Sequence, residues 1–332
     1  MSLQSAAAPA AASSTTRPSM VAAHHPIYGD ASVVILAPTA RPKPHEGEVL
    51  VAVHASSVNY GDQVMLTGRP WLVRLVFGLR RPKRRLLGID VAGVVAAVGP
   101  GVTDFAPGDR VFGQSEGAWA ELATVPAKAL AHLPDGVPFA AGGAVPLAGM
   151  TALQGLRDHG RLRAGERVLI NGASGGVGHL ALQVAKALGA HVTAVVSARN
   201  VAQARALGAD VVVDYTRQDF TATDARYDLI LDVAGSQPLR ACRRLLRAGG
   251  RYVSTVGNLR FLLKLVVARL FWRNLGFFNQ RADAADLHTL AGWLADGRLR
   301  PVVERSYPLD KVADALAAFA HGPNGAKTLI VR

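Results

Sequence analysis

The heptapeptide Gly172-Ala173-Ser174-Gly175-Gly176-Val177-Gly178 constrains this chain more than any other stretch. It follows the apolar run Val168-Leu169-Ile170, which reads as a buried parallel strand. It leads into residues 179–188, whose apolar positions recur at helical spacing. Strand, glycine turn and helix in that order build a phosphate cradle. Glycines permit the tight turn and let the backbone approach a pyrophosphate, while the helix start offers N–H donors and the positive end of its dipole. Ala173 stands at the first position of the dinucleotide fingerprint, so the motif reads Ala-x-Gly-x-x-Gly with Gly172 just before it. Its weight comes from the flanking strand and helix.

From Arg167 onward, apolar runs at 168–170, 192–196, 211–214, 229–233 and 251–254 alternate with helical patterns. That alternation predicts an α/β, doubly wound parallel sheet. Gly208-Ala209-Asp210 closes one helix, and Gly249-Gly250 is expected to cap another. Helices are expected at 284–294 and 311–319, and a closing strand at 328–331. Before this half, short runs at 33–36, 48–53, 91–98 and 111–112 are separated by Pro, Gly and Asp, among them the turn Pro107-Gly108-Asp109. They predict a β-rich, barrel-like unit. Residues 1–24 are rich in Ala, Ser, Thr and Pro, contain no acid and show no period, which favours a disordered tail, with a targeting segment as the alternative. The expected division is tail 1–24, β-rich domain 25–150 and dinucleotide domain 151–285.

Two features bound the partners. Lys and Arg number 37 against 24 Asp and Glu, a net charge of +13 that favours an anionic ligand, and a phosphorylated cofactor meets that demand. No basic stripe is interleaved with aromatics, so no nucleic acid is expected. Cys242 is the only cysteine, which excludes an internal disulfide and suits a reducing, cytoplasmic compartment. Residues 259–278 are strongly apolar but carry Arg260, Lys264, Arg269 and Arg273, so no transmembrane segment of roughly 20 uncharged residues is expected there. A pocket lid or subunit contact is the favoured reading for that stretch, with membrane-surface contact as the alternative.

Several stretches in order are similar to the medium-chain dehydrogenase/reductase superfamily, and within it to the zinc-independent quinone oxidoreductase (zeta-crystallin-like) branch. They are Ser57-Val58-Asn59-Tyr60-Gly61-Asp62, Leu87-Gly88-Ile89-Asp90-Val91-Ala92-Gly93, Phe105-Ala106-Pro107-Gly108-Asp109-Arg110-Val111, Gly117-Ala118-Trp119-Ala120-Glu121, Gly149-Met150-Thr151-Ala152 and the glycine loop. The resemblance runs from about residue 32 to the end. It implies an N-terminal GroES-like catalytic domain, a Rossmann domain, a cleft between them, a return of residues 286–332 to the catalytic domain, and a homodimer.

Zinc enzymes of this superfamily hold their metal with a Cys, a His in Gly-His-Glu and a further Cys or Asp. The corresponding positions here are Asn59, Ile89 and the neighbourhood of Leu147-Ala148, which lack the thiolate and imidazole set that zinc takes, so no metal is expected. An NAD site places an acid at the end of the second Rossmann strand to accept from the ribose 2′-OH. This chain reads Val196-Ser197-Ala198-Arg199 there, and Ser197 and Arg199 suit the 2′-phosphate of NADP(H). Tyr215 matches a family position near the adenosine; Thr151 is expected to face the nicotinamide; Val256, Gly257 and Asn258 follow a strand end where this fold binds ligands. Asn59, Tyr60 and Asp62 are the candidate catalytic residues, with Tyr60 or water as the proton donor. The expected activity is NADPH-dependent reduction of a carbonyl-conjugated C=C bond or quinone, with a small apolar enone or quinone as substrate. Metal-free carbonyl/alcohol interconversion and a recruited, non-redox role are the alternatives.

Overall fold

The computed structural model describes residues 19–255, 272, 274–320, 322 and 325–332. Its first unit is built on β1 (Ser19–His24), β2 (Ile35–Ala40), β3 (Glu48–Val58), β4 (Asp90–Val98), β5 (Arg110–Gln114), β6 (Leu122–Pro126) and β7 (Leu130–His132). Strand β3 organises it. Val49, Val51 and Val53 alternate inward, each 6% exposed or less, as expected of a strand with one buried face. From Ala55 to Val58 every residue is buried, because β4 lies on one side and the chain's last strand on the other. Between β3 and β4 lie α1 (Tyr60–Thr67) and the single turn α2 (Arg74–Phe77).

Helices α3 (Phe139–Ala144) and α4 (Pro146–Gln154) lead out of this unit. The second unit is a six-stranded parallel sheet of β8 (Arg167–Asn171), β9 (His191–Val196), β10 (Val211–Asp214), β11 (Tyr227–Asp232), β12 (Leu246–Ser254) and β13 (Leu275–Phe277). Its order, β10-β9-β8-β11-β12-β13, is the Rossmann arrangement in which direction reverses between β8 and β11. Helix α5 (Gly178–Ala187) follows β8 and is buried through Ala185. Strands β14 (Val303–Pro308) and β15 (Lys327–Val331) then join the first sheet, β15 pairing antiparallel with β3. The helix Ala284–Ala295 packs beside α4, with Leu290 against Gly149.

Two expectations change. Ser19–His24 is not tail: it forms β1, antiparallel to β2 in the register Ser19↔Ala40 to His24↔Ile35. Met20, Ala22 and Ala23 are buried, but alanine is too small and too frequent upstream for that alternation to register as a strand signal. Gly249-Gly250 does not cap a helix. The helix Leu239–Arg244 ends earlier, and the glycines lie in a bulge of β12, where Gly249 takes φ +78° and the register against β11 jumps from Leu246 to Arg251. Most of residues 259–278, and Val256, Gly257 and Asn258, lie outside the described residues; within that stretch Leu275–Phe277 forms the edge strand β13. Among the described residues no helix is long and apolar enough to cross a membrane.

Candidate active site

The glycine loop fits an anionic dinucleotide for reasons visible atom by atom. Gly172 adopts φ +85°, a conformation that favours glycine. A Cβ on Gly178 would lie 2.0 Å from the Gly172 carbonyl oxygen, so this glycine permits helix and turn to touch. Gly175 and Gly176 have no such packing reason. Cβ atoms there would meet nothing nearer than 3.6 Å, an ordinary van der Waals contact, so packing does not demand glycine at either position. Val177 begins α5 without a side-chain cap, leaving the helix start to an external acceptor. Ala173, buried, donates its N–H to the Val195 carbonyl and fixes the loop on β9, while the Ser174 carbonyl accepts from Ala326 N–H at 2.7 Å. The last contact joins the loop to the start of β15.

Where β9 ends, Ser197 is half-buried and Arg199 exposed on the following turn. Ser197 Oγ accepts from Asn200 Nδ2 at 3.1 Å. Tyr215 donates its N–H to the Val196 carbonyl and leaves its ring 57% exposed beside them. An acid does come near, from the neighbouring strand: Asp214 stands in register with Val196. Its carboxylate is engaged with the hydroxyl and N–H of Thr216 and with Arg217, and the Thr216 bonds hold its pKa below the usual carboxylate range. The corner where β9 ends therefore carries a hydroxyl, a guanidinium and a phenol.

The catalytic-domain side is a closed polar cluster. Asn59 caps α1, and the Asp62 carboxylate accepts its N–H at 2.9 Å and that of Gly88 at 3.2 Å. The Asn59 amide is saturated: Nδ2 donates to Asp90 Oδ2 at 2.9 Å and Oδ1 accepts from Lys327 Nζ at 2.6 Å. Asp90 also accepts from Ser57 Oγ at 2.5 Å and from Leu147 N–H at 2.8 Å, and lies 3.5 Å from Lys327 Nζ. Burial, reinforced by Asp90, pushes the Asp62 carboxyl up to about 7, and burial pushes the Lys327 ammonium down. Of the three catalytic candidates, Asn59 and Asp62 are thus inward-facing and fully bonded. Tyr60 is 68% exposed and its hydroxyl makes no hydrogen bond among the described residues. Thr151, on α4, donates its hydroxyl to the Leu147 carbonyl of its own helix at 2.7 Å. Among the described residues no group of three His, Cys, Asp or Glu side chains could hold a metal ion.

Sequence reasoning missed Lys327, Asp90 and a second buried cluster at the switch point. There Asp232, ending β11, accepts from Asn171 Nδ2 at 2.8 Å, from the Tyr252 hydroxyl at 2.5 Å and from Gly235 N–H at 2.7 Å. These bonds tie the ends of β8, β11 and β12 together where the fold opens its ligand crevice. The signal for Lys327 was an isolated cation opening an apolar strand. Cys242 lies in the core beneath, its thiol pushed up to about 12 by burial, and it is inert at neutral pH.

His179, on the first turn of α5, connects loop and cluster. Its Nδ1 lies 2.9 Å from the Gly175 carbonyl, and its buried Nε2 has no partner among the described residues. Burial pushes the imidazole down to about 4, and the nearby Lys327 charge adds to this. The folded chain keeps this ring neutral while the unfolded chain protonates it below its ordinary 6.5. The stability this group contributes is therefore present above pH 6.5 and lost as pH falls toward 4, by about 2–3 kcal/mol. In urea unfolding at a series of pH values, His179→Gln is expected to lose less stability than the parent over that window. Parallel losses in the two chains would refute the assignment.

Two family models match the chain. The alcohol dehydrogenase GroES-like domain matches residues 45–135, and the zinc-binding dehydrogenase family matches residues 207–330. The chain is 35% identical over 298 residues to the spectinabilin polyketide synthase system protein NorB of Streptomyces orinoci, covering 86% of this chain but spanning only 13% of that protein's length. It is 31% identical over 306 residues to the chloroplast envelope quinone oxidoreductase homolog of Arabidopsis thaliana, covering 87% of this chain and 91% of that one. The quinone oxidoreductase structure from Coxiella burnetii superposes with a TM-score of 0.86 at 27% identity, over 95% of this chain and all of that one. A GroES-like barrel, a Rossmann sheet in the order described and a full-length match of this extent place the chain in the medium-chain dehydrogenase/reductase superfamily, whose members are nicotinamide-dependent oxidoreductases, among its quinone oxidoreductase relatives.

Proposed function

We propose that this chain is an NADPH-dependent reductase that works without a metal ion on an apolar carbonyl-conjugated C=C bond or quinone. The observation that carries the reading is Lys327. Its ammonium bonds Asn59 Oδ1 and neighbours Asp90, so a cation of the chain's own occupies the carboxylate cluster beside the cleft. With no imidazole or thiolate in that cluster, the donors are the wrong kind to bring zinc to a substrate oxygen. Electron-poor carbon, which accepts hydride without a Lewis acid on an alcohol oxygen, is the chemistry that remains.

When bound, reduced nicotinamide supplies the hydride. The glycine loop and the uncapped start of α5 hold the diphosphate, and Ser197, Arg199 and Tyr215 receive the 2′-phosphate. The Asn59-Asp62-Asp90-Lys327 cluster fixes the wall that α1 presents to the cleft. Tyr60, at the start of α1 with an unengaged hydroxyl, is placed to hand a proton to the reduced product, with water as its substitute. A homodimer would pair along β13, the outermost strand of the Rossmann sheet, where Phe277 is 36% exposed.

The test is NADPH oxidation against a panel of enones and quinones, in enzyme dialysed against a chelator. Turnover that survives dialysis supports the reading; NADPH binding without turnover on the whole panel would favour a recruited, non-redox role. Arg199→Glu is expected to raise the Kd for NADPH by about 10- to 100-fold, the worth of one charge-assisted phosphate contact, with NADH binding changed little. Equal losses for both nucleotides would overturn the assignment of Arg199 to the 2′-phosphate.

A further inference from the structure

Residues 63–89, between the buried carboxylates Asp62 and Asp90, contain no acid and seven cations: Arg69, Arg74, Arg80, Arg81, Lys83, Arg84 and Arg85. The same stretch carries an exposed apolar face. Trp71 is 62% exposed, Leu72 37%, Leu75 58%, Val76 71% and Leu79 62%. These five fall within nine positions on α2 and the turns beside it, unlike the single apolar side chains that any surface shows.

The face is held out by the fold. Arg74 lies 4.5 Å over the Tyr28 ring and donates to the carbonyls of Gly68 and Thr67. The Tyr28 hydroxyl donates to the Gly78 carbonyl at 2.7 Å, Lys83 N–H to the Phe77 carbonyl, and His25 N–H to the Arg85 carbonyl. Anchored at both ends, α2 and the turns beside it keep their apolar side chains in water by construction. Arg84 pairs with Glu116, but Arg69, Arg80, Arg81, Lys83 and Arg85 are exposed and have no acidic partner among the described residues.

We propose that Trp71, Leu72, Leu75, Val76 and Leu79, ringed by Arg69, Arg80, Arg81, Lys83 and Arg85, dock this protein peripherally on a lipid surface bearing anionic headgroups. An aromatic ring and branched aliphatics enter the boundary of the acyl chains while the surrounding cations meet the headgroups. Charge decides between occupants. A second copy meeting the patch across a twofold axis would press five cations against five. Nucleic acid would meet the cations but leave Leu75, Val76 and Leu79 without a partner, since aliphatic side chains offer no stacking platform.

The test is co-sedimentation of the full chain with vesicles of phosphatidylcholine, alone or mixed with phosphatidylglycerol. Binding is expected to the mixed vesicles, and to weaken in high salt. It should fall about tenfold or more in Leu75→Ser/Val76→Ser and, separately, in Arg80→Glu/Arg81→Glu/Lys83→Glu. Because these side chains are exposed, both variants should keep the parent melting temperature. Trp119, Trp272 and Trp293 are each 9% exposed or less, so Trp71 alone should be quenched by brominated lipid, and Trp71→Phe should bind yet lose the quenching. Equal binding to both vesicles, no binding, or an unquenched Trp71 overturns the proposal. So does a Leu75→Ser/Val76→Ser chain that changes its sedimentation coefficient without vesicles, which would make the patch a contact between copies. Salt-sensitive RNA retention that the same apolar variant leaves intact, in a chain that ignores vesicles, would assign the cations to nucleic acid instead.

Discussion

A Lys327→Met chain is expected to be about 3–5 kcal/mol less stable than the parent at neutral pH, read from urea midpoints at unchanged slope. The side chain is 2% exposed and, among the described residues, its ammonium is the only cation bonded to the cluster of Asp90, Asn59 and Asp62. Methionine preserves most of the apolar stem, so what is removed is chiefly charge. The Asp90 carboxylate, wholly buried, is then left with neutral donors only, namely Ser57, Asn59 and Leu147 N–H. The deficit should depend on pH in a definite direction. Without the ammonium, the Asp62 carboxyl of the folded chain gains further proton affinity, and it already stands at about 7 against 3.8 unfolded. A carboxyl with a raised folded pKa contributes stability at low pH that is lost as pH rises through that pKa. The gap between variant and parent should therefore be small near pH 4 and widen toward pH 7 and above. Asp90→Asn/Lys327→Met should recover at least half the loss by removing the stranded charge. A gap that is flat with pH and unrelieved in the double variant would mean that Lys327 acts through packing.

The dinucleotide half of this molecule was legible because its constraints are local. Glycine spacing, an apolar strand and a helical period all lie within about twenty residues of one another, and the strand order follows once the alternation is seen. The catalytic half was not. Asn59 and Asp62 stand three apart on a helix start, and the capping bond between them is readable from that spacing. Their other partners, Asp90 and Lys327, come from β4 and β15, and no period in the sequence connects position 59 with position 327. The Asn59 amide is accordingly closed on both sides by Asp90 and Lys327, partners that no spacing around position 59 announces. Ser197 and Arg199 could be read from the end of one strand. The approach of Asp214 to the same corner could not, since it depends on the register between β9 and β10. Strand β1 failed for another reason, because a face made of Ala22 and Ala23 carries almost no hydrophobic contrast with the alanines before it.

Two glycines in one loop should respond in opposite ways to the same methyl group. Gly178→Ala is expected to destabilise the chain by about 4 kcal/mol or more, because the new Cβ would meet the Gly172 carbonyl oxygen at 2.0 Å and the Ala173 Cα at 2.8 Å. Both are backbone atoms, so relief requires moving the start of α5 away from β8, and the start of α5 is where the diphosphate is proposed to be held. Stability and dinucleotide binding should fail together. Gly175→Ala places its methyl in space where the nearest atom, the Gly172 oxygen, is 3.6 Å away, and Gly175 does not adopt a positive φ. Its stability should stay within about 0.5 kcal/mol of the parent. If the open face of the loop is where a diphosphate approaches the backbone, that methyl should still raise the Kd for NADPH by about tenfold or more, since a bulkier loop forces the phosphate off its N–H donors. Thermal unfolding with and without NADPH reads both quantities from one experiment: the bare chain reports stability and the nucleotide-induced shift reports binding. A Gly175→Ala chain with the parent's full shift would move the cradle away from this loop, whereas a Gly178→Ala chain as stable as the parent would mean that helix and turn are not locked together as described.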